Sequence, residues 1–263
     1  MEINKIEVKP SKVAKSHLHA INRSVYDYKK VLSHIVEAYD SFVIRAYAKA
    51  RFTIININIL QILGLLLRDR KRVLDIGSGF GLFGCYFSSM DRDISYTGFD
   101  LNANRVEKAR KAALSLGLDN AVFLNGDARD LKITDEYDAI FMVDLLHHID
   151  DEAKARLLDQ CIEHLAPGGR LIIKDVARHP FHKIAFTWAL DVLMTRSFDM
   201  WYWSEDRFYT TLSKRFDRVE MYPLTDWLPY PHVIYLCENR IGTERPPKKN
   251  FKAKRKLAAN ATL

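Results

Sequence analysis

In "RVLDIGSGFG", residues 72–81, an apolar run ends near an acid, Asp75, and three glycines follow at alternate positions, Gly77, Gly79 and Gly81. Glycines between a strand and a helix let the backbone approach a ligand closely, and the helix beyond offers N–H groups and a partial positive charge. NAD, FAD and S-adenosylmethionine all suit such a loop. The dinucleotide fingerprint G-x-G-x-x-G fails here, because Leu82 stands where its third glycine belongs. A carboxylate at Asp75 repels a pyrophosphate at the strand's mouth but attracts a ligand bearing an ammonium and a sulfonium. S-adenosylmethionine carries both.

The elements that must hold these residues can be read from periodicity. Short apolar runs at Arg72–Ile76, Ser95–Asp100, Ala121–Asn125, Tyr137–Asp144 and Arg170–Val176 alternate with helical patterns at about 80–90, 102–116 and 151–165. That alternation predicts parallel βαβ units. "LAPGG", with Pro167, Gly168 and Gly169, reads as the turn into the fifth strand. Two further runs, Arg218–Tyr222 and His232–Glu238, have only a short connection and are expected to pair antiparallel. Ser204 followed by Glu205 and Asp206 reads as the start of a helix. The fold class is therefore α/β: a Rossmann-like doubly wound sheet of seven strands with the last antiparallel and an N-terminal helical extension. Residues 25–69 read as two or three helices. Within them the apolar stretch Phe52 to Leu67 reads as one buried helix, shorter than the roughly 20 residues a membrane span needs.

"VLDIGSGFG" resembles the first motif of class I S-adenosylmethionine-dependent methyltransferases, and further motifs follow in that family's order. "YTGFDLN" resembles the second-strand motif, which implies that Asp100 binds both ribose hydroxyls with Leu101 beside it. "LNGDARDL" implies Asp127 at the adenine amino group and Ala128 beside the ring. "YDAIFMVDLLHHI" and "LAPGGRLIIKDV" resemble the fourth and fifth strands with their exits. The resemblance covers about residues 70–176, and weakly 215–239. It implies that Asp75, Gly77, Ser78, Gly79, Gly81, Asp100, Leu101, Asp127 and Ala128 hold the donor, that Asp144 lines its methionine end, and that the product is S-adenosylhomocysteine.

Methyl transfer is an in-line displacement, so the protein must align donor and acceptor, exclude water and, where needed, remove a proton. His147 and His148 follow the fourth strand and are the candidate catalytic residues, since neutral imidazole accepts a proton near pH 7. No metal is expected: the fifth strand exits as Lys174-Asp175-Val176, without the Asp-Asn pair of the metal-dependent branch. Asp144-Leu-Leu-His replaces the Asn/Asp-Pro-Pro-Tyr signature of enzymes that methylate base amines, which argues against nucleic acid as the acceptor. Phe181, Phe186, Trp188, Phe198, Trp201, Tyr202, Trp203, Phe208, Tyr209, Trp227 and Tyr230 cluster in the segments after the fifth and sixth strands. Such aromatic density suits a hydrophobic small-molecule acceptor, although core packing accounts for about half of such residues.

Eight of the 40 Lys and Arg but one of the 33 Asp and Glu lie from Arg240 onward, so the tail holds the entire net charge of +7. The expected organisation is an N-terminal segment (1–24), a helical cap (25–70), the methyltransferase domain (71–239) with an aromatic-rich insertion at 177–214, and a basic flexible tail (240–263) suited to peripheral membrane contact. Cys85, Cys161 and Cys237 are far apart and set among apolar residues, which fits reduced core thiols and a cytoplasmic setting. Two other functions fit the same motifs: an RNA or protein methyltransferase anchored by the tail, and a non-catalytic S-adenosylmethionine-binding regulatory protein.

Overall fold

The apolar stretch from Phe52 to Leu67 is two helices. In a computed structural model, which describes residues 28–176, 201–224 and 232–241, α1 (28–37) is followed by α2 (Phe42–Ile54) and α3 (Ile57–Leu66). The last two meet at 76°, which corrects the expected single helix. The break is local chemistry. The Asn56 side chain accepts from the N–H groups of Asn58 (3.0 Å) and Ile59 (3.3 Å), starting a new helix, just after the β-branched run Thr53-Ile54-Ile55. No single helix among the described residues is long and apolar enough to cross a membrane.

The sheet follows as β1 (Arg72–Ile76), β2 (Ser95–Asp100), β3 (Ala121–Asn125), β4 (Tyr137–Val143), β5 (Leu165–Val176), β6 (Phe216–Leu224) and β7 (His232–Arg240). Their spatial order is β3-β2-β1-β4-β5-β7-β6. The first five are parallel, and β7 runs antiparallel to both β5 and β6, so the expected seven strands with one reversed are present. Several boundaries differ from the sequence reading: β6 extends two residues beyond the expected Arg218–Tyr222 at each end, and β7 runs on to Arg240. β4 stops at Val143 because Asp144 adopts φ 54°, and β5 starts at Leu165, taking "APGG" into the strand as an irregularity kinked at Gly168 (φ 71°).

Side chains alternate across the sheet. On β4, Ala139, Phe141 and Val143 join a core with the cap helices, α4 (Leu82–Met90) and α5 (Ala103–Ser115). Ile140 and Met142 join the opposite core with α6 (Asp151–His164) and α7 (Glu205–Ser213). Cys85, Cys161 and Cys237 are free and buried in these cores. Because β1 pairs with β2 on one side and β4 on the other, the strand order reverses at the carboxyl ends of β1 and β4, where doubly wound sheets bind ligands.

Candidate functional site

The glycine loop is folded onto the end of β2 by its own amides. Gly77 and Ser78 N–H both donate to Phe99 O at 2.8 Å, and Gly79 N–H donates to Asp100 Oδ2 at 2.8 Å. Gly77, Gly79 and Gly81 have φ of 86°, 56° and 76°, the left-handed region that L side chains rarely enter. The last two are needed for different reasons. A Cβ on Gly79 would meet nothing within 4 Å, so that residue presents bare backbone to open space. A Cβ on Gly81 would lie 2.7 Å from Ala109 and 2.8 Å from the Phe123 ring, so that residue lets α4 start tight against α5 and β3.

A cleft of about 490 Å³ opens beside this loop, lined by Asp100 and Leu101, by Asp127 and Ala128, and by Leu145 and His148. Gly77, too, is on its wall. Asp75, Ser78, Gly79, Gly81 and Asp144 do not line it. Asp75 is 1% exposed and accepts the Tyr96 hydroxyl at 2.5 Å, and burial pushes its carboxyl up to about 7. Asp127 meets Arg129, whose Nε lies 3.0 Å from each carboxylate oxygen, and that hydrogen bonding holds the acid below its usual range. Arg129 also lines the cleft, a residue that sequence reasoning passed over.

The two histidines separate. His148 lines the cleft, whereas His147, buried, points its Nδ1 at Asp175 Oδ1 (2.5 Å) and stacks on Tyr202 (ring centroids 5.4 Å apart, 10° between planes). Trp201 N–H donates to His147 O at 2.8 Å, and Lys154, buried on α6, donates to Trp201 O at 2.5 Å, so residues 201–203 are strapped beside the β4 exit. Of the aromatic group expected to meet an acceptor, Trp203 and Phe208 are core, Tyr202 faces His147, and Trp201 and Tyr209 are exposed. Phe181, Phe186, Trp188, Phe198, Trp227 and Tyr230 lie outside the described residues.

Asp144 is the centre of an ionic cluster. Arg51, from α2, donates to its Oδ2 at 2.8 Å, and the fully buried Lys174 of β5 donates to its Oδ1. Burial pushes the Lys174 ammonium below its usual range, and Asp144 opposes that shift. The cap also holds the glycine loop directly. Tyr39 donates its hydroxyl to Phe80 O at 2.7 Å, the Tyr47 ring lies 5.1 Å from the Phe80 ring, and Asp40 pairs with Lys108 at 2.9 Å. No local motif announced these residues: each reaches its partner across many positions of chain.

Residues 73–169 match the family model of a methyltransferase domain. These residues carry a methyltransferase domain of the class I S-adenosylmethionine-dependent type. The chain is 32% identical over 126 residues to phthiotriol/phenolphthiotriol dimycocerosates methyltransferase 1 of Mycobacterium ulcerans, covering 46% of this chain and 42% of that one. It is 37% identical over 80 residues to a fatty-acid O-methyltransferase of Mycolicibacterium smegmatis, covering 30% of this chain and 28% of that one. The matched regions span less than half the length of these curated relatives. Its fold is shared with the S-adenosylmethionine-dependent methyltransferase SibL in its apo form, at TM-score 0.59 and 18% identity over 75% of this chain and 57% of that one.

The cleft fits the donor. Asp100 accepts backbone N–H from Gly79 on one oxygen and from Asn102 on the other (2.9 Å). A carboxylate has about four lone-pair sites, enough to take two vicinal ribose hydroxyls as well. Leu101 and Ala128 supply apolar surface for a flat base, and Asp127 an acceptor for its amino group.

Proposed function

We propose that this protein transfers the methyl group of S-adenosylmethionine to a hydrophobic small molecule, one that loses a proton from oxygen or an acidic carbon as it is methylated. The observation that carries this reading is the buried His147–Asp175 pair at the β4 and β5 exits, 2.5 Å apart and stacked on Tyr202. If Nδ1–H donates to Asp175, the imidazole is held in the tautomer whose Nε2 accepts a proton. The rings of His148 and Tyr202 stand beside it, 4.1 Å and 5.4 Å away between centroids, and such flat surfaces favour an aromatic or apolar acceptor. Two relatives whose names specify dimycocerosates and a fatty acid support a lipid-like class.

S-adenosylmethionine, when bound, supplies the electrophilic methyl. The chain's residues do the rest: Asp100 and Asp127 fix the nucleoside end, the cap and the strap at 201–203 exclude water, and His147 takes the acceptor's proton. The basic tail from Arg240 onward suits acceptor pick-up at an anionic membrane surface from the cytoplasmic side. The same tail favours a second reading, methylation of RNA or protein.

Incubation with methyl-labelled S-adenosylmethionine and a host-cell extract, followed by counting of organic-soluble, nucleic-acid and protein fractions, separates the readings. Label in the organic phase supports the proposal. Label in RNA or protein, lost on deletion of residues 241–263, replaces it with the second reading. Donor binding with no label in any fraction identifies a non-catalytic binder. With the acceptor in hand, His147→Ala should cut turnover by about 10²–10⁴ while S-adenosylhomocysteine affinity holds.

A further inference from the structure

Trp201, Tyr202 and Trp203 lie beside the β4 exit, and the ring of the middle one stacks on His147. One buried lysine holds the residues on either side of it. Lys154 Nζ donates to Trp201 O at 2.5 Å and stands 4.9 Å from the centre of the Trp203 ring. Asp151, one turn earlier on α6, completes the grip. Its Oδ1 accepts Trp203 Nε1–H at 2.6 Å and lies 3.6 Å from Lys154 Nζ, and its Oδ2 accepts from Arg207 of α7 at 2.7 Å. Arg207 Cζ is itself 4.5 Å from the Trp203 ring centre. Stability is a poor reason for this lysine. Burial pushes its ammonium below the usual range, against the opposing pull of Asp151 and Asp175. It also stands in the first turn of α6, where the helix dipole disfavours a cation. Replacing such a buried ion by a hydrophobic residue of similar volume is often neutral or stabilising. What a hydrophobic residue does not supply is an N–H for Trp201 O.

Resting on the reading that His147 takes the acceptor's proton, we infer that Lys154 is a positioning residue for that step: by gripping Trp201 and Trp203 it holds Tyr202 against His147 and fixes the imidazole on Asp175. The route is short. Lys154 holds Trp201 O, and Trp201 N–H donates to His147 O at 2.8 Å, so a single residue joins the lysine to the histidine's backbone. The Tyr202 ring, 10° from parallel with the imidazole, leaves it little freedom to turn away from Asp175 Oδ1. Lys154 does not line the donor cleft, so its effect reaches the reaction only through this strap. A base must stand within hydrogen-bond reach of its proton, and a misplacement of about 1 Å costs about 10²-fold in rate. A strap tied at both of its flanks limits that error.

The alternative role for Lys154 is to hold α6 and α7 together, and stability separates the two. The test compares wild type, Lys154→Met, Lys154→Arg and Tyr202→Leu by urea midpoint, S-adenosylhomocysteine affinity, nitrogen NMR shifts of the His147 ring and, with the acceptor in hand, kcat. For K154M the expected result is a urea midpoint no lower than wild type, unchanged S-adenosylhomocysteine affinity, ring shifts moved toward a mixture of tautomers, and kcat lower by about 10- to 100-fold. K154R keeps the cation and its N–H donors and should restore much of kcat. Y202L should lower kcat as well, and adding K154M to it should cost nothing more, because both act by one route. A lower urea midpoint with wild-type kcat and ring shifts, or full additivity in the double variant, overturns the inference. If K154M does not fold, Trp203→Phe, which loosens the same grip by removing the N–H on Asp151, decides instead: unchanged ring shifts and kcat overturn the inference, and a change in both supports it. Full activity in His147→Ala removes the base reading, and the inference with it.

Discussion

At the β1–β2 end the cleft is shaped by main chain: three residues with positive φ, two amides on one carbonyl, and one amide on Asp100. At the β4–β5 end it is shaped by buried charge: Asp144 between Arg51 and Lys174, His147 against Asp175, and Lys154 under Trp201. The first arrangement is local, spanning Asp75 to Asn102, and its strength lies in backbone geometry that few side chains tolerate. The second joins residues up to 93 positions apart and is only as good as its pairing, since a buried ion without its partner is costly. The β1–β2 end of the site is therefore a rigid cradle, and the β4–β5 end an electrostatic clasp that involves the cap.

The largest effect should come from opening that clasp. Asp144→Ala leaves Lys174 buried without its carboxylate and should cost about 3–5 kcal/mol, visible as a lower urea midpoint. Lys174→Met combined with it should recover much of the loss. A small cost for Asp144→Ala alone would show that the clasp is not held by charge. The cradle should break for a different reason: Gly81→Ala places a methyl in contact with Ala109 and Phe123 and keeps an unfavourable φ, about 2–3 kcal/mol in all, with no relief from any change at Asp144.

Smaller effects sharpen the boundary between the two ends. Asp75, pushed up to about 7 by burial, sits behind the cradle but acts through charge. Below that pH it is protonated and attracts an ammonium less. S-adenosylhomocysteine should therefore bind about tenfold more weakly at pH 6 than at pH 8, and Asp75→Asn should flatten the profile. The stability of the ligand-free protein should run the other way. The folded form keeps a proton that the unfolded chain releases near the ordinary carboxylate value, so this group's contribution is full at acid pH and is lost as pH rises toward about 7. The smallest effect is at the bend in the cap: Asn56→Ala removes the acceptor of two amides and should cost about 1 kcal/mol, a melting-temperature drop of roughly 2–4 °C.

The cradle was almost fully legible. Strand periods placed β1, β2 and β3 to the residue, and the glycine spacing with Asp100 located the loop, because each step depends on neighbours within one βα unit. Legibility failed where a short-range signal was outweighed. The apolar run Phe52–Leu67 looked continuous because hydrophobicity hides a cap, and Asn56 bends it. Asp75 looked like a ligand-facing acid, but its carboxylate is turned back onto Tyr96 of β2.

From the sequence alone came the order of strands and helices, the glycine loop, the family motifs at Asp100, Asp127 and the paired histidines, and the net charge of the tail. Backbone conformation and hydrophobic period are set within a few residues, so one chain segment at a time is enough to read them. Tertiary structure decided which charged groups are buried together: Arg51 with Asp144 and Lys174, His147 with Asp175, and Tyr39 with the Phe80 carbonyl. Those pairings depend on how three helices and two strand exits meet in space, and desolvation makes them matter only once the fold has removed the water between them.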